Sequence, residues 1–162
     1  MIHHISIPAR DPEHVARVIA ELWQTVALPF PPYPRSFVVI TDDGYGTDIE
    51  IAPLGIEFKP GEGDQQAQIS MNESPSPFSA THAALSVPVS EERIKEIAAR
   101  EGWRAATLER GSFFQVVEFW IENRLLLELL PPNMVQRYLD FMTTRNFAER
   151  FQLDLPREAG VA

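Results

Sequence analysis

The chain has 162 residues, of which 44% are hydrophobic and 23% charged, the make-up of an ordinary globular domain long enough to bury a sizeable core. Its formal net charge of −9 predicts neither a nucleic-acid partner nor attraction to an anionic membrane surface, because both depend on clustered Lys and Arg. Cysteine is absent, which excludes disulfides, zinc–thiolate sites and thiol nucleophiles.

The opening MIHHISIPARD has no charged segment leading into an apolar one, and no apolar run approaches the ~18 residues of a spanning helix. The expectation is a soluble cytoplasmic protein. Residues 2–8 alternate and read as a strand. Asp11-Pro12-Glu13 is a helix start, with Asp as cap and Pro where its missing N–H costs nothing. Val15, Val18, Ile19 and Leu22 form the apolar stripe of a helix over 13–24. The proline-rich segment 27–33 allows only a short or edge strand. Residues 36–41 are a β-branched strand, Asp42-Asp43-Gly44-Tyr45-Gly46 a hairpin loop, and 47–53 a further strand. This first unit, 1–53, is ordered βαβββ.

Residues 54–80 break the pattern and read as a linker with one weak strand at 66–71. The unit then repeats over 81–132. A strand over 81–87 is followed by a helix capped by Ser90, with Ile94, Ile97 and Ala98 as its apolar face and Gly102 as its end. Strands at 103–109, 113–121 and 124–130 complete it, the last two joined by a tight turn at Glu122-Asn123. Residues 133–153 read as one terminal helix, which packs on its own sheet or against a second copy in a homodimer. Residues 154–162 read as a loose tail. Trp23, Trp103 and Trp120 read as core, and His3 and His14 as exposed. The fold class is α+β.

The two units share a spacing that joins four polar residues. His4 opens the first strand of one unit and Glu50 lies in its last strand, 46 residues on; the same 46 residues separate His82 from Glu128. The two units are offset by 78 residues. Each Glu interrupts an apolar strand (Asp48-Ile49-Glu50-Ile51 and Leu125-Leu126-Leu127-Glu128-Leu129-Leu130), where an unpaired carboxylate is costly. Taken singly, these residues read as ordinary strand positions; as a set they read as a metal site.

Strand alternation places further residues beside them. A two-residue turn at Glu122-Asn123 would pair Val117 with Glu128 and Phe119 with Leu126. Gln115, Val117, Phe119 and Leu126 would then face a shared cup, with Glu118 and Trp120 turned away. The repeat maps this onto Phe37, Val39 and Thr41, and Ser6, Ala84 and Ser86 share the face of the two histidines. The cup is largely apolar and suits a small molecule with a hydrophobic part.

Two βαβββ units with His on the first strand and Glu on the last resemble the vicinal oxygen chelate superfamily, which includes glyoxalase I, bleomycin-resistance proteins, fosfomycin-resistance enzymes and extradiol dioxygenases. The resemblance covers about residues 2–131. It implies a curved mixed sheet of the glyoxalase/bleomycin-resistance type, with the terminal helix added. It also implies a divalent metal (Zn, Ni, Mn, Co or Fe) held by His4, Glu50, His82 and Glu128, the four-ligand pattern of glyoxalase I. The implied activity is that of a metal-dependent lyase or isomerase acting through an enediolate or alkoxide, with Glu128 or Glu50 as base; the more apolar strand favours Glu128. Residues 55–80 lack the Gly- and Asn-rich segment of glyoxalase I, so glutathione is not implied. The alternatives are a metal-free binding protein of the bleomycin-resistance type and an Fe(II) ring-cleaving dioxygenase.

Overall fold

The repeat seen in the sequence is a repeat in space. The computed structural model describes residues 2–154. In the first unit β1 (His4–Ala9) leads into α1 (Pro12–Trp23), followed by β2 (Ala27–Pro29), β3 (Phe37–Ile40) and β4 (Asp48–Pro53). These strands form a four-stranded sheet in the order β1-β4-β3-β2. A hairpin of β5 (Ile56–Lys59) and β6 (Gln68–Met71) follows. The second unit runs β7 (Ala83–Ser86), α2 (Glu91–Glu101), β8 (Ala105–Arg110), β9 (Phe114–Ile121) and β10 (Leu125–Leu130), with sheet order β7-β10-β9-β8. The two sheets therefore have one topology. In each, the first strand pairs in parallel with the last at the same register, His4 opposite Asp48 and Ala84 opposite Glu128.

Local chemistry accounts for the helices. Asp11 accepts a hydrogen bond from the His14 amide (3.1 Å) at the start of α1, and Ser90 caps α2 by accepting from the Arg93 amide (3.3 Å). Gly102 ends α2 at φ +67°, a left-handed position that suits glycine. Val15, Val18, Ile19 and Leu22 of α1, and Ile94, Ile97 and Ala98 of α2, are all buried, as their spacing predicts. Both helices and both sheets contribute to one continuous core.

Several sequence expectations need correction. The linker 54–80 holds a two-stranded hairpin in place of one weak strand. Gly55 permits its close approach: a Cβ there would stand 2.5 Å from the Asn72 carbonyl. The hairpin lays Phe58 edge-on against Tyr33, with ring centroids 5.5 Å apart. The single helix expected over 133–153 is two helices, α3 (Pro132–Phe141) and α4 (Thr144–Phe151). The break is local: Thr143 caps a new helix by accepting from the Asn146 amide. α3 packs on its own sheet, stacking Phe141 on Phe113 and setting Tyr138 edge-on to Phe114. Of the expected tail, only Asp154 is among the described residues. The three tryptophans are half-buried, and Trp23 and Trp103 pack against the core.

The β9–β10 turn carries the largest consequence. Glu122 and Asn123 both adopt left-handed backbone angles, but three residues separate the paired Ile121 and Leu125. Glu128 therefore lies opposite Glu118, and Leu126 opposite Trp120. One extra residue moves every side chain of β9 to the other face relative to β10. No helix among the described residues is long and apolar enough to cross a membrane.

Candidate functional site

The seam between the two units forms an open cavity of about 910 Å³, within the size range of small-molecule sites, with His4 and His82 exposed in it. His3, His4, Thr41, Asp43 and Asp48 line it from the first unit. His82, Ala84, Ser86 and Leu130 line it from the second, and Val135 and Tyr138 of α3 also contribute. Trp23 joins the two units, donating its indole N–H to the Ser86 carbonyl (3.2 Å). The walls are mainly apolar.

His82 lies immediately before β7. Its Nδ1 is 3.0 Å from the Ala80 carbonyl, which can only accept, so Nδ1 donates there and, in the neutral ring, Nε2 is left as an acceptor. His4 faces Asp48 across the β1–β4 register. The Asp48 Oδ1 is shut off from solvent and receives no hydrogen bond among the described residues. Burial holds the Asp48 carboxyl above its usual value; His4 pulls it back down and Glu50 pushes it further up.

The two glutamates have other partners. Ser6 donates to Glu50 (2.7 Å) across the β1–β4 pair. Glu128 is ion-paired with Arg110, whose Nε donates at 2.9 Å, and Arg110 also reaches Glu118 at 2.9 Å. Glu118 accepts in addition from Arg104 (2.7 Å) and the Trp120 indole (3.1 Å). Burial alone would raise the Glu118 carboxyl, but these three donors outweigh it and hold the group below the usual range. The open face of the second sheet is thus a balanced cluster of two arginines and two glutamates.

Of the expected ligand set, His4 and His82 share the cavity, whereas Glu50 and Glu128 are not among the described residues that line it. Among the described residues, no three His, Asp or Glu side chains converge as ligands of one ion. The donor chemistry of His4, His82 and Asp48 suits a divalent ion; of the two expected glutamate ligands, Glu50 is engaged by Ser6 and Glu128 by Arg110.

The expected cup also changes. Ser6 lies opposite Glu50, Ala84 opposite Glu128 and Ser86 opposite Leu130, so each shares a face with the strand residues predicted. Leu126 shares the face of Glu128, and Thr41 lines the cavity. Val117 and Phe119, expected in the cup, are fully buried in the core on the opposite face. Gln115 shares that opposite face, where it donates to Glu109 (2.7 Å). Phe37 and Val39 are likewise misplaced, since they pair with Ile51 and Ile49, which face the core. The cause is the assumed two-residue turn in the second unit and the transfer of its parity to the first. Asp48, Arg110 and Glu118 were not singled out from the sequence. The signal for Asp48 was its position, two residues before Glu50 and so on the same face. His14, expected to be exposed, is half-buried and hydrogen-bonded through Nε2 to Glu101 (2.6 Å).

Compared by sequence, the chain matches no family model. It matches no curated protein either. Compared by structure, it resembles the genomically encoded fosfomycin resistance protein FosX from Listeria monocytogenes, with 13% identity, a TM-score of 0.52, and 85% of this chain and 97% of that chain covered. The same FosX in complex with Mn(II) and sulfate gives 12% identity and a TM-score of 0.53, over 93% of this chain and 97% of that one. A Bacillus anthracis protein placed in the glyoxalase family gives 12% identity and a TM-score of 0.51, over 80% and 92%. These likenesses show the fold: an α+β arrangement of the vicinal oxygen chelate type.

Proposed function

We propose that this chain, which has the vicinal oxygen chelate fold, binds a small molecule with an apolar body in the seam cavity and holds its polar end between His4 and His82. One observation carries this reading: two histidines from separate units line one mostly apolar cavity of about 910 Å³. Ile5, Leu85, Leu130 and Val135 supply apolar wall, and burying a ligand's hydrophobic surface there contributes ~25 cal/mol per Å² before the costs of binding. The His82 Nε2 is available to accept a hydrogen bond or a proton from the ligand, because Nδ1 is committed to Ala80.

The test is a calorimetric screen of small aromatic and aliphatic alcohols, acids and amines. Binding that is lost in Ala84→Trp, which fills the cavity, and weakened in His82→Ala supports the proposal. Binding unchanged in both variants overturns it.

A second reading, a divalent-metal-dependent lyase or isomerase, is supported by the matching registers of the two units, in which Glu50 lies opposite Ser6, two residues from His4, and Glu128 opposite Ala84, two residues from His82, and by the Mn(II) complex of FosX. It requires Glu128 to be released from Arg110. Elemental analysis of protein purified without chelator, beside a His82→Ala, Glu128→Ala variant, separates the two. About one equivalent of metal in the parent protein, lost in a folded variant, favours the metal reading; no metal in either, even after metal is added back, leaves the binding cavity.

A further inference from the structure

We infer that the seam cavity selects an organic cation, a small apolar amine whose ammonium group is received by Asp48. This rests on the proposal that the cavity binds a small molecule, and it names the class. The first observation is an unmet demand. Asp48 forms part of the cavity wall; its Oδ1 is closed to solvent and receives no hydrogen bond among the described residues, so its other carboxylate oxygen is the one that a ligand in the cavity can reach. A buried acceptor without a donor is costly, and a charged one more so, unless a partner arrives. Across the sheet it lies between His4 and Ile40, with Glu50 the neighbouring charge on its own strand.

The second observation is the charge of the lining. Although the chain has 14 Lys and Arg, none lines this cavity among the described residues. On the second sheet, Arg104 and Arg110 are committed to Glu118 and Glu128. The fixed charges on the lining are Asp43 and Asp48, and Asp43 is already satisfied by Thr47 and the Tyr45 amide. That leaves Asp48 as the acceptor in need of a donor.

The third observation concerns the rest of the wall. Trp23 and Tyr138 line the same cavity, and aromatic rings attract cations while covering an apolar body. An anion would meet Asp48 without any fixed positive charge to offset it. An ammonium on a short hydrophobic group meets a carboxylate, two rings and aliphatic walls.

Three probes with nearly the same body separate charge from fit: 2-phenylethylamine, 2-phenylethanol and 3-phenylpropionate, titrated calorimetrically into chelator-treated protein. The expected order is amine tighter than alcohol by about tenfold, the scale of one charge-assisted hydrogen bond, with propionate weakest. Asp48→Asn should remove the amine's advantage and leave the alcohol unchanged. The wild-type ranking stands even if that variant fails to fold. Propionate binding as tightly as the amine, or an unchanged amine affinity in folded Asp48→Asn, overturns the inference while leaving the cavity as a binding site. Failure of all three probes overturns the amine class, and with the wider screen also negative it overturns the proposed function. Mn(II) binding that depends on Asp48, without amine binding, assigns the carboxylate to a metal and likewise overturns it.

Discussion

Arg110 holds Glu128 through both Nε and a terminal nitrogen, and the same guanidinium reaches Glu118 on the neighbouring strand. A glutamate in an apolar strand is therefore explained by a cation of the chain itself. Burial disfavours the Arg110 charge, but the two carboxylates more than offset it and raise its proton affinity.

Arg110→Met should leave Glu118 with Arg104 and the Trp120 indole, and should remove the cation that pairs with Glu128. We expect a loss of roughly 1–3 kcal/mol, less than for a fully buried pair because Arg110 is partly exposed. Urea unfolding measures it. Adding Glu128→Gln should recover much of the loss. If Arg110 also withholds Glu128 from metal, Arg110→Met should bind Mn(II) more tightly than the parent protein, read by the loss of the free Mn(II) resonance signal.

Glu122 ties the turn of the second unit to the first. Its carboxylate accepts from the amides of Arg10 (2.8 Å) and Asp11 (2.9 Å), and it is the nearest anion to the buried Arg124, at 3.8 Å. Glu122→Ala should cost about 2–4 kcal/mol, since two amides lose their acceptor and the buried Arg124 loses its nearby anion. Glu122→Gly would relieve the left-handed backbone at φ +50° by at most ~1 kcal/mol, so it too should destabilise. Hydrogen exchange at the start of α1 should accelerate in both variants.

The pH dependence of stability has two opposed contributions. Glu118 is held below its unfolded value, so its stabilisation is present above about pH 4.3 and is lost as pH falls through the folded value. In Glu118→Gln that part of the acid dependence should disappear. Unfolding free energies measured from pH 7 down to pH 3 would show it as a shallower slope; an unchanged slope would refute it.

Asp48 acts in the other direction. Its folded value is raised by burial, so its charge is a penalty at neutral pH that is relieved as pH falls through that value. Asp48→Asn should therefore stabilise the ligand-free protein at pH 7 by about 1 kcal/mol, with the gain vanishing toward pH 4. A gain in stability that accompanies loss of amine binding is the pattern of a residue kept for function.

What could be read from the sequence was local or periodic. The helix stripes at Val15, Val18, Ile19 and Leu22, the caps Asp11 and Ser90, and the recurring His-to-Glu distance all depend on spacing along the chain, and the structure repeats them as two sheets of one topology. The fold followed from these. The partners of the polar residues did not, because they depend on which strand faces are shared. Three residues between Ile121 and Leu125, where two were expected, carried Val117 and Phe119 into the core and brought Glu118 and Arg110 to Glu128. The cavity likewise exists only where the two units meet, joining His4 to His82 and giving Asp48 a wall to occupy. The sequence by itself determined the repeat and its elements, since periodicity is a property of neighbours in the chain; tertiary structure alone decided which charges are neutralised and which is left waiting, since that is a property of neighbours in space.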